Sequence, residues 1–257
     1  MFDEPFAAGT SPLHRIDPRV RLGAAILCSV LCSIIHSLPA AFVALGGAGL
    51  LICLSRPPLL PLLRRMVVVN IFILFLWLTV PLSGNSSSAP VVFSYGFFVL
   101  TQQGLALCLL VSIKSNALVL LFLALVATMP TPTLGHAMAQ LHVPNKLVFL
   151  FLFTYRYIHV IGEEWQRLNN AARLRAFRPR NTLHTYRVAG YILGMVLVRS
   201  YERAQRVYEA MILRGFTGHF VSINTFHTTR RDLFFALATF AALVLVIAVE
   251  YRELFCE

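Results

Sequence analysis

Apolar residues run in five long blocks along this chain, at 22–38, 40–54, 66–82, 104–129 and 233–249. A helix needs about 20 apolar residues to cross the roughly 30 Å hydrocarbon core of a bilayer, and shorter runs suffice where helices pack on one another. The pattern therefore predicts an all-α, polytopic helical membrane protein with about five transmembrane helices. The second block is short, and Pro39 sets it in a tight hairpin with the first. Gly46, Gly47, Ala48 and Gly49 give it a small-residue face that would allow close helix contact.

Between the fourth and fifth blocks the pattern changes. Pro130-Thr131-Pro132 ends the fourth helix, a short amphipathic piece follows over 133–142, and Pro144 opens a new helix. That helix begins apolar at 147–153 and turns charged after Arg156. Phe153, Tyr157, Ile161, Trp165, Leu168 and Ala172 form a stripe at spacings of three and four that leads to Arg175. A shorter amphipathic stretch lies around 191–198, and a second long helix follows. It carries Arg199, Arg203, Arg206 and Arg214 on one stripe and Leu197, Tyr201, Ala204, Tyr208 and Met211 on another. A solvated basic face, or one lying on anionic lipid, accounts for such a stripe.

Within this region the chain repeats itself. Residues 163–177 read EEWQRLNNAARLRAF and residues 202–216 read ERAQRVYEAMILRGF. The pairs Glu163/Glu202, Gln166/Gln205, Arg167/Arg206, Ala171/Ala210, Leu174/Leu213, Arg175/Arg214 and Phe177/Phe216 are identical. Each copy ends on Arg, a small residue (Ala176 or Gly215) and Phe, then meets a breaker, Pro179 in the first and Gly215 with Gly218 in the second. Arg175 and Arg214 thus fall in the last turns of two similar helices, where the helix dipole favours a cation. Either they cap their own helices, or they are paired tips aimed at an acidic partner.

Charge sharpens the topology. The chain of 257 residues is 58% hydrophobic and 13% charged with a net charge of +11. Between Arg156 and Arg231 thirteen arginines face four acids, so most of the excess lies in one polar block. Arg15, Arg19 and Arg21 precede the first block, Arg56, Arg64 and Arg65 fill the second connection, and the connection over 83–103 carries no charge. The positive-inside bias places the N-terminus and the repeated block in the cytoplasm and the C-terminus outside. No cleavable signal is expected, since the first apolar run starts late and lacks a small-residue cleavage site. Nucleic-acid binding is not expected, because the aromatics of the basic block lie on its apolar stripe.

Other chemistry finds little support. The sequence shows no glycine-rich phosphate loop, no clustered histidines and no nucleophile elbow, so no catalytic residue and no metal ligand is assigned. Cys28 and Cys32 lack a histidine or carboxylate at ligand spacing and read as small buried hydrophobes. Lys114, beside Ser112, Ser115 and Asn116, either lines a polar seam between helices or snorkels from a tilted segment.

Several of these residues together resemble a known family. They are Ser11-Pro12-Leu13-His14-Arg15-Ile16-Asp17-Pro18-Arg19-Val20-Arg21-Leu22, Thr131-Pro132, Val143-Pro144, Tyr155-Arg156-Tyr157 followed by Glu163-Glu164, and the two Arg-small-Phe endings. In that order, from Ser11 to Gly218, they resemble the transmembrane T component of energy-coupling factor (ECF) transporters, and most closely the CbiQ-type protein of cobalt and nickel uptake systems.

The resemblance implies a coupling subunit. It would join two ABC-type ATPase subunits to a small substrate-binding membrane subunit in the bacterial inner membrane. ATP and Mg would be bound by the ATPases, and this chain would carry no cofactor. Two Ala-Arg-Gly tips of the family insert into ATPase grooves. Leu174-Arg175-Ala176 with Phe177, and Leu213-Arg214-Gly215 with Phe216, stand at those positions, with Leu for the first Ala in both and Ala176 for the first Gly. Glu163 with Arg167 and Glu202 with Arg206, at i,i+4, would support the coupling helices. The implied division is a membrane domain over 1–132, coupling helices over 133–231, and a last transmembrane helix with its tail over 232–257. Two other readings fit the residues: a membrane-embedded enzyme holding a phosphorylated lipid headgroup, and a stand-alone channel or carrier built around Lys114.

Overall fold

The computed structural model describes residues 11–79, 91–95, 98–141, 143–216 and 229–256. After a 3-10 turn at Pro12–Arg15 come α1 (Pro18–Ile34), α2 (Leu38–Ser55) and α3 (Leu59–Thr79). A strand pair follows, β1 (Val91–Tyr95) with β2 (Phe98–Thr101), and then α4 (Gln102–Leu125), α5 (Thr131–Gln140), α6 (Asn145–Leu174), α7 (Leu183–Leu213) and α8 (Arg230–Cys256). Residues 142–225 form one compact unit, and residues 2–141 with 226–257 form the other.

The second of these is a helical membrane bundle. Four of its helices, α2, α3, α4 and α8, are long and apolar enough to cross a membrane. At 17 residues α1 is a turn shorter than a full span, which gives about five transmembrane helices with it. The charge-free connection contributes what the apolar blocks did not predict, an antiparallel hairpin in which Val91 pairs with Thr101 and Tyr95 with Phe98. Its β-branched and aromatic run, Val91-Val92-Phe93, is the sequence signal for it.

One boundary moves. The third helix starts at Leu59 rather than 66, so Arg64 and Arg65 lie in its second turn and not in a connection. Pro61 does not prevent this, because first-turn amides have no intrahelical acceptor to lose. The expected end of that block, 80–82, and the breaker Gly218 lie outside the described residues.

Small side chains let the bundle close. Ala24, Ala25, Ala40, Ala41, Ala48, Ala117 and Ala124 are all buried. Of the small-residue face expected on α2 only Ala48 is buried, while a Cβ built on Gly46, Gly47 or Gly49 would meet nothing within 4 Å; the other buried small residues of that helix are Ala40, Ala41 and Ser55. Cys32 and Cys108 are buried in the same bundle.

Polar groups join helix ends. Asp17 caps α1 by accepting from the Arg19 amide at 2.9 Å. Asp232 accepts from the Asp17 amide at 2.8 Å and from the Thr229 amide at 2.6 Å, so one buried carboxylate ties the starts of α1 and α8. The buried guanidinium of Arg21 donates to the Leu125 carbonyl at 3.0 Å and to the Thr128 hydroxyl, closing the C-terminal end of α4. Reciprocally, Lys114 of α4 donates to the Ser33 carbonyl in the last turn of α1 at 3.0 Å. Glu250 accepts from the His36 amide at 2.8 Å and the Ser37 hydroxyl at 2.6 Å, capping the start of α2 from the far end of α8. Each cation meets carbonyls and each carboxylate meets amides, as helix-end partial charges require.

Candidate functional site

The repeated segment lies in the other unit, on α6 and α7. The first copy covers residues 163–174 at the end of α6, a 30-residue helix started by Pro144, and the cap that follows it. The second ends α7, a 31-residue helix capped by Thr182, whose hydroxyl accepts from the Thr185 amide. The stretch around 191–198 is not a separate piece but the middle of α7. Gly190 and Gly194 each weaken a helix by about 1 kcal/mol relative to alanine, and no proline interrupts the run.

Both copies finish in the same backbone motif. In the first, the Ala176 amide donates to the Arg173 carbonyl at 3.0 Å and the Phe177 amide to Ala172 at 3.1 Å. In the second, the Gly215 amide donates to Ile212 at 2.9 Å and the Phe216 amide to Met211 at 3.1 Å. This is the paired bonding of a Schellman cap, which needs a left-handed residue just past the helix. Ala176 at φ 62 and Gly215 at φ 78 supply it. The repeated Arg-small-Phe signature is therefore a stop signal: the arginine is the C-cap, the small residue turns left-handed, and the phenylalanine amide closes the ring.

What the cap does to the side chains matters more. Arg175 and Arg214 are exposed, and among the described residues neither makes an ion pair or a side-chain hydrogen bond. Leu174 and Leu213, one residue before them, are 89% and 87% exposed. Each tip thus presents an unpaired guanidinium beside a bare leucine, with Phe177 or Phe216 half-buried behind it. Phe216 stacks on Phe149 of α6 with centroids 5.8 Å apart, in line with a ladder of Phe149, Phe153 and Tyr157 along that helix.

Those contacts fix the register. Phe149 lies level with Phe216, and Glu164 with Arg199 and Arg203, so α6 and α7 run antiparallel. Arg214 then stands near the level of residue 151 and Arg175 about 24 residues further along, which at 1.5 Å per residue separates the tips by on the order of 35 Å. No single small ligand could engage both.

Of the supporting pairs expected from spacing, Arg206 approaches Glu202 at 4.0 Å, with both side chains more than half exposed. Such a pair contributes little to stability. Glu163 and Arg167 are exposed and make no ion pair among the described residues. The acid that organises this hairpin is Glu164, which spacing did not single out. It is buried, accepts a hydrogen bond from Arg199 and stands 3.9 Å from Arg203. The Arg199 hydrogen bond, reinforced by the charges of Arg199, Arg167 and Arg203, holds its carboxyl below the usual carboxylate range. A signal for it was in the alignment of the two copies, where Glu164 faces Arg203 and the charge inverts. Lys114 also resolves: Ser112 accepts from the Trp77 indole at 2.9 Å and Asn116 pairs with Asn70 at 3.2 Å, so its polar neighbours hold α3 while it caps α1.

Comparisons with known proteins bear on this geometry. Residues 9–225 match the family CbiQ, described as cobalt transport protein. The chain is 25% identical over 224 residues to the energy-coupling factor transporter transmembrane protein EcfT of Bacillus subtilis, covering 83% of each chain. It is 24% identical to the protein of the same name from Brevibacillus brevis, over 95% of each. The nickel permease LarQ of Lactiplantibacillus plantarum is 31% identical over 126 residues, 49% of this chain and 45% of that one.

Proposed function

The chain belongs to the CbiQ family of cobalt transport proteins, and we propose that within it the chain is the coupling subunit of an ECF-type ABC importer. As a membrane component of transporters the family is not enzymatic. In this reading Arg175 and Arg214 dock into two ABC-type ATPase subunits, one per tip. A small substrate-binding membrane subunit captures the substrate, cobalt or nickel. ATP with Mg is bound by the ATPases, and this chain holds no cofactor.

The observation that carries the reading is the pair of identical caps at opposite ends of an antiparallel hairpin. Both guanidinium groups project into solvent, each beside an exposed leucine, at equivalent places in the two copies. In a groove lined by carboxylates such an arginine gains charge-assisted hydrogen bonds that solvent-exposed pairs lack. The leucine adds about 1.5–3 kcal/mol if fully covered. Closure of two motor subunits on ATP would change the distance between their grooves. A stiff hairpin converts that into a tilt transmitted to the membrane helices and the captured subunit.

The remaining assignments follow. The membrane domain spans 1–132, the coupling helices 133–231, and the last transmembrane helix with its tail 232–257. The protein sits in the bacterial inner membrane with its N-terminus in the cytoplasm. The test is charge reversal. R175E and R214E, singly and together, should insert normally while co-purification with the ATPase subunits falls at least tenfold in the double variant. Undiminished co-purification of the double variant would overturn the proposal.

A further inference from the structure

We infer that Glu164 is a positioning residue for coupling: its carboxylate, clamped by Arg199 and Arg203, locks the crossing of α6 and α7 and thereby sets the spacing of the two tips. The inference rests on the coupling-subunit reading and adds a residue to it.

The repeat offset carries Glu164 of the first copy onto Arg203 of the second, and these two side chains meet, 3.9 Å apart. In an antiparallel pair of equivalent helices, equivalent positions meet only on the local twofold axis, so the axis of the hairpin passes between them. Identity at that place would set like charge against like charge, which is destabilising. The chain keeps seven positions identical between the copies and inverts the charge at this one.

The acid of the clamp is also more sheltered than that of the hairpin's other ion pair. The Glu164 side chain is 10% accessible, against 55% for Glu202 in its pair with Arg206. Its two oxygens go to different arginines, Oε1 to Arg199 and Oε2 to Arg203, which stand one turn apart on α7. One acid thus fixes both the rotation and the axial position of one helix on the other. Because the tips lie at the two ends of the hairpin, any slack at the axis is magnified there. Loss of Glu164 should therefore uncouple the tips from each other while leaving each tip competent to bind.

The experiment uses the full chain co-expressed with its ATPase and substrate-binding subunits. Spin labels are placed at the repeat-equivalent exposed sites Asn170→Cys and Glu209→Cys in a background lacking the native cysteines. E164Q and E164R should broaden the label–label distance distribution at least twofold. They should lower uptake at least fivefold while the ATPases still co-purify and hydrolyse ATP. The double variant E164R/R203E restores a carboxylate opposite the new cation and one turn from Arg199. It should recover at least half of uptake and the narrow distribution. Unchanged distance width and uptake in E164Q and E164R, or a double variant no better than E164R, would overturn the inference. Failure of the wild-type chain to retain its ATPases would instead sink the coupling reading itself, while the distance measurements would still decide the clamp.

Discussion

Ala176 and Gly215 occupy equivalent left-handed caps, yet only one is glycine. An L residue with a Cβ costs about 1–2 kcal/mol in that conformation, partly offset by its lower entropy when unfolded. A176G should therefore stabilise the first tip by about 1 kcal/mol, and G215A should destabilise the second by a similar amount, read as opposite shifts in thermal melting of the detergent-solubilised chain. Glu164 makes a second prediction, in pH. Its folded-state pKa lies below the ordinary value. Its contribution is therefore complete above the unfolded value near 4.3 and is lost as pH falls through the lower folded value. The width of the 170–209 label distribution should stay constant from about pH 8 to pH 5 and increase only below about pH 4. The two equivalent caps at Arg175 and Arg214 were legible in the sequence because a duplicated ending is a local signal. The Glu164–Arg199 contact was not, because a cross-helix partner depends on register, and i,i+4 spacing pointed to Glu163 instead.

At the level of elements, apolar length located the membrane helices, but the faces they bury were invisible. α2 is apolar all round and α4, from Gly104 on, is so outside Ser112, Lys114, Ser115 and Asn116, so no apolar stripe marks a contact side. What identifies a face is the rare polar group. α3 buries only Ile73 and is tied to α4 by the Asn70–Asn116 amide pair and by the Trp77 indole on Ser112. Interhelical hydrogen bonds in membranes are worth about 0.6–2 kcal/mol. The two differ in what their loss leaves behind. Without the indole, Ser112 still donates to the Cys108 carbonyl at 2.6 Å. Without Asn70, the Asn116 carbonyl oxygen loses the donor it has, while its amide nitrogen keeps Ser112 at 2.9 Å. N70L should accordingly lower the melting temperature more than W77F, and limited proteolysis should cut near α3 sooner in N70L. Equal effects would mean that α3 is held by lipid-facing packing instead. The separate helix expected around 191–198 fails for a related reason: two glycines lower propensity but remove no backbone donor, and a long helix absorbs them.

Across the whole molecule, four side-chain contacts settle the up-and-down order of the bundle without reference to a membrane. Asp232 joins the starts of α1 and α8, Arg21 joins the start of α1 to the end of α4, Lys114 reaches the end of α1, and Glu250 joins the end of α8 to the start of α2. One end of the bundle therefore gathers the starts of α1 and α8, the ends of α2 and α4 and the α2–α3 connection. Arg19, Arg21, Arg56, Arg64, Arg65, Arg230 and Arg231 all fall there. The opposite end has Glu250 on its helix caps. Retention of arginine on the cytoplasmic side would place this end in the cytoplasm, the orientation proposed above. In a background lacking the native cysteines, H36C should react with an impermeant maleimide on intact cells, and P58C should react only after lysis. His36 and Pro58 are both exposed and lie at opposite ends of α2, so unequal access reports the side of the membrane and not burial. The reverse labelling would put the arginine-rich end of the bundle outside the cell and overturn the orientation on which the proposed coupling function depends.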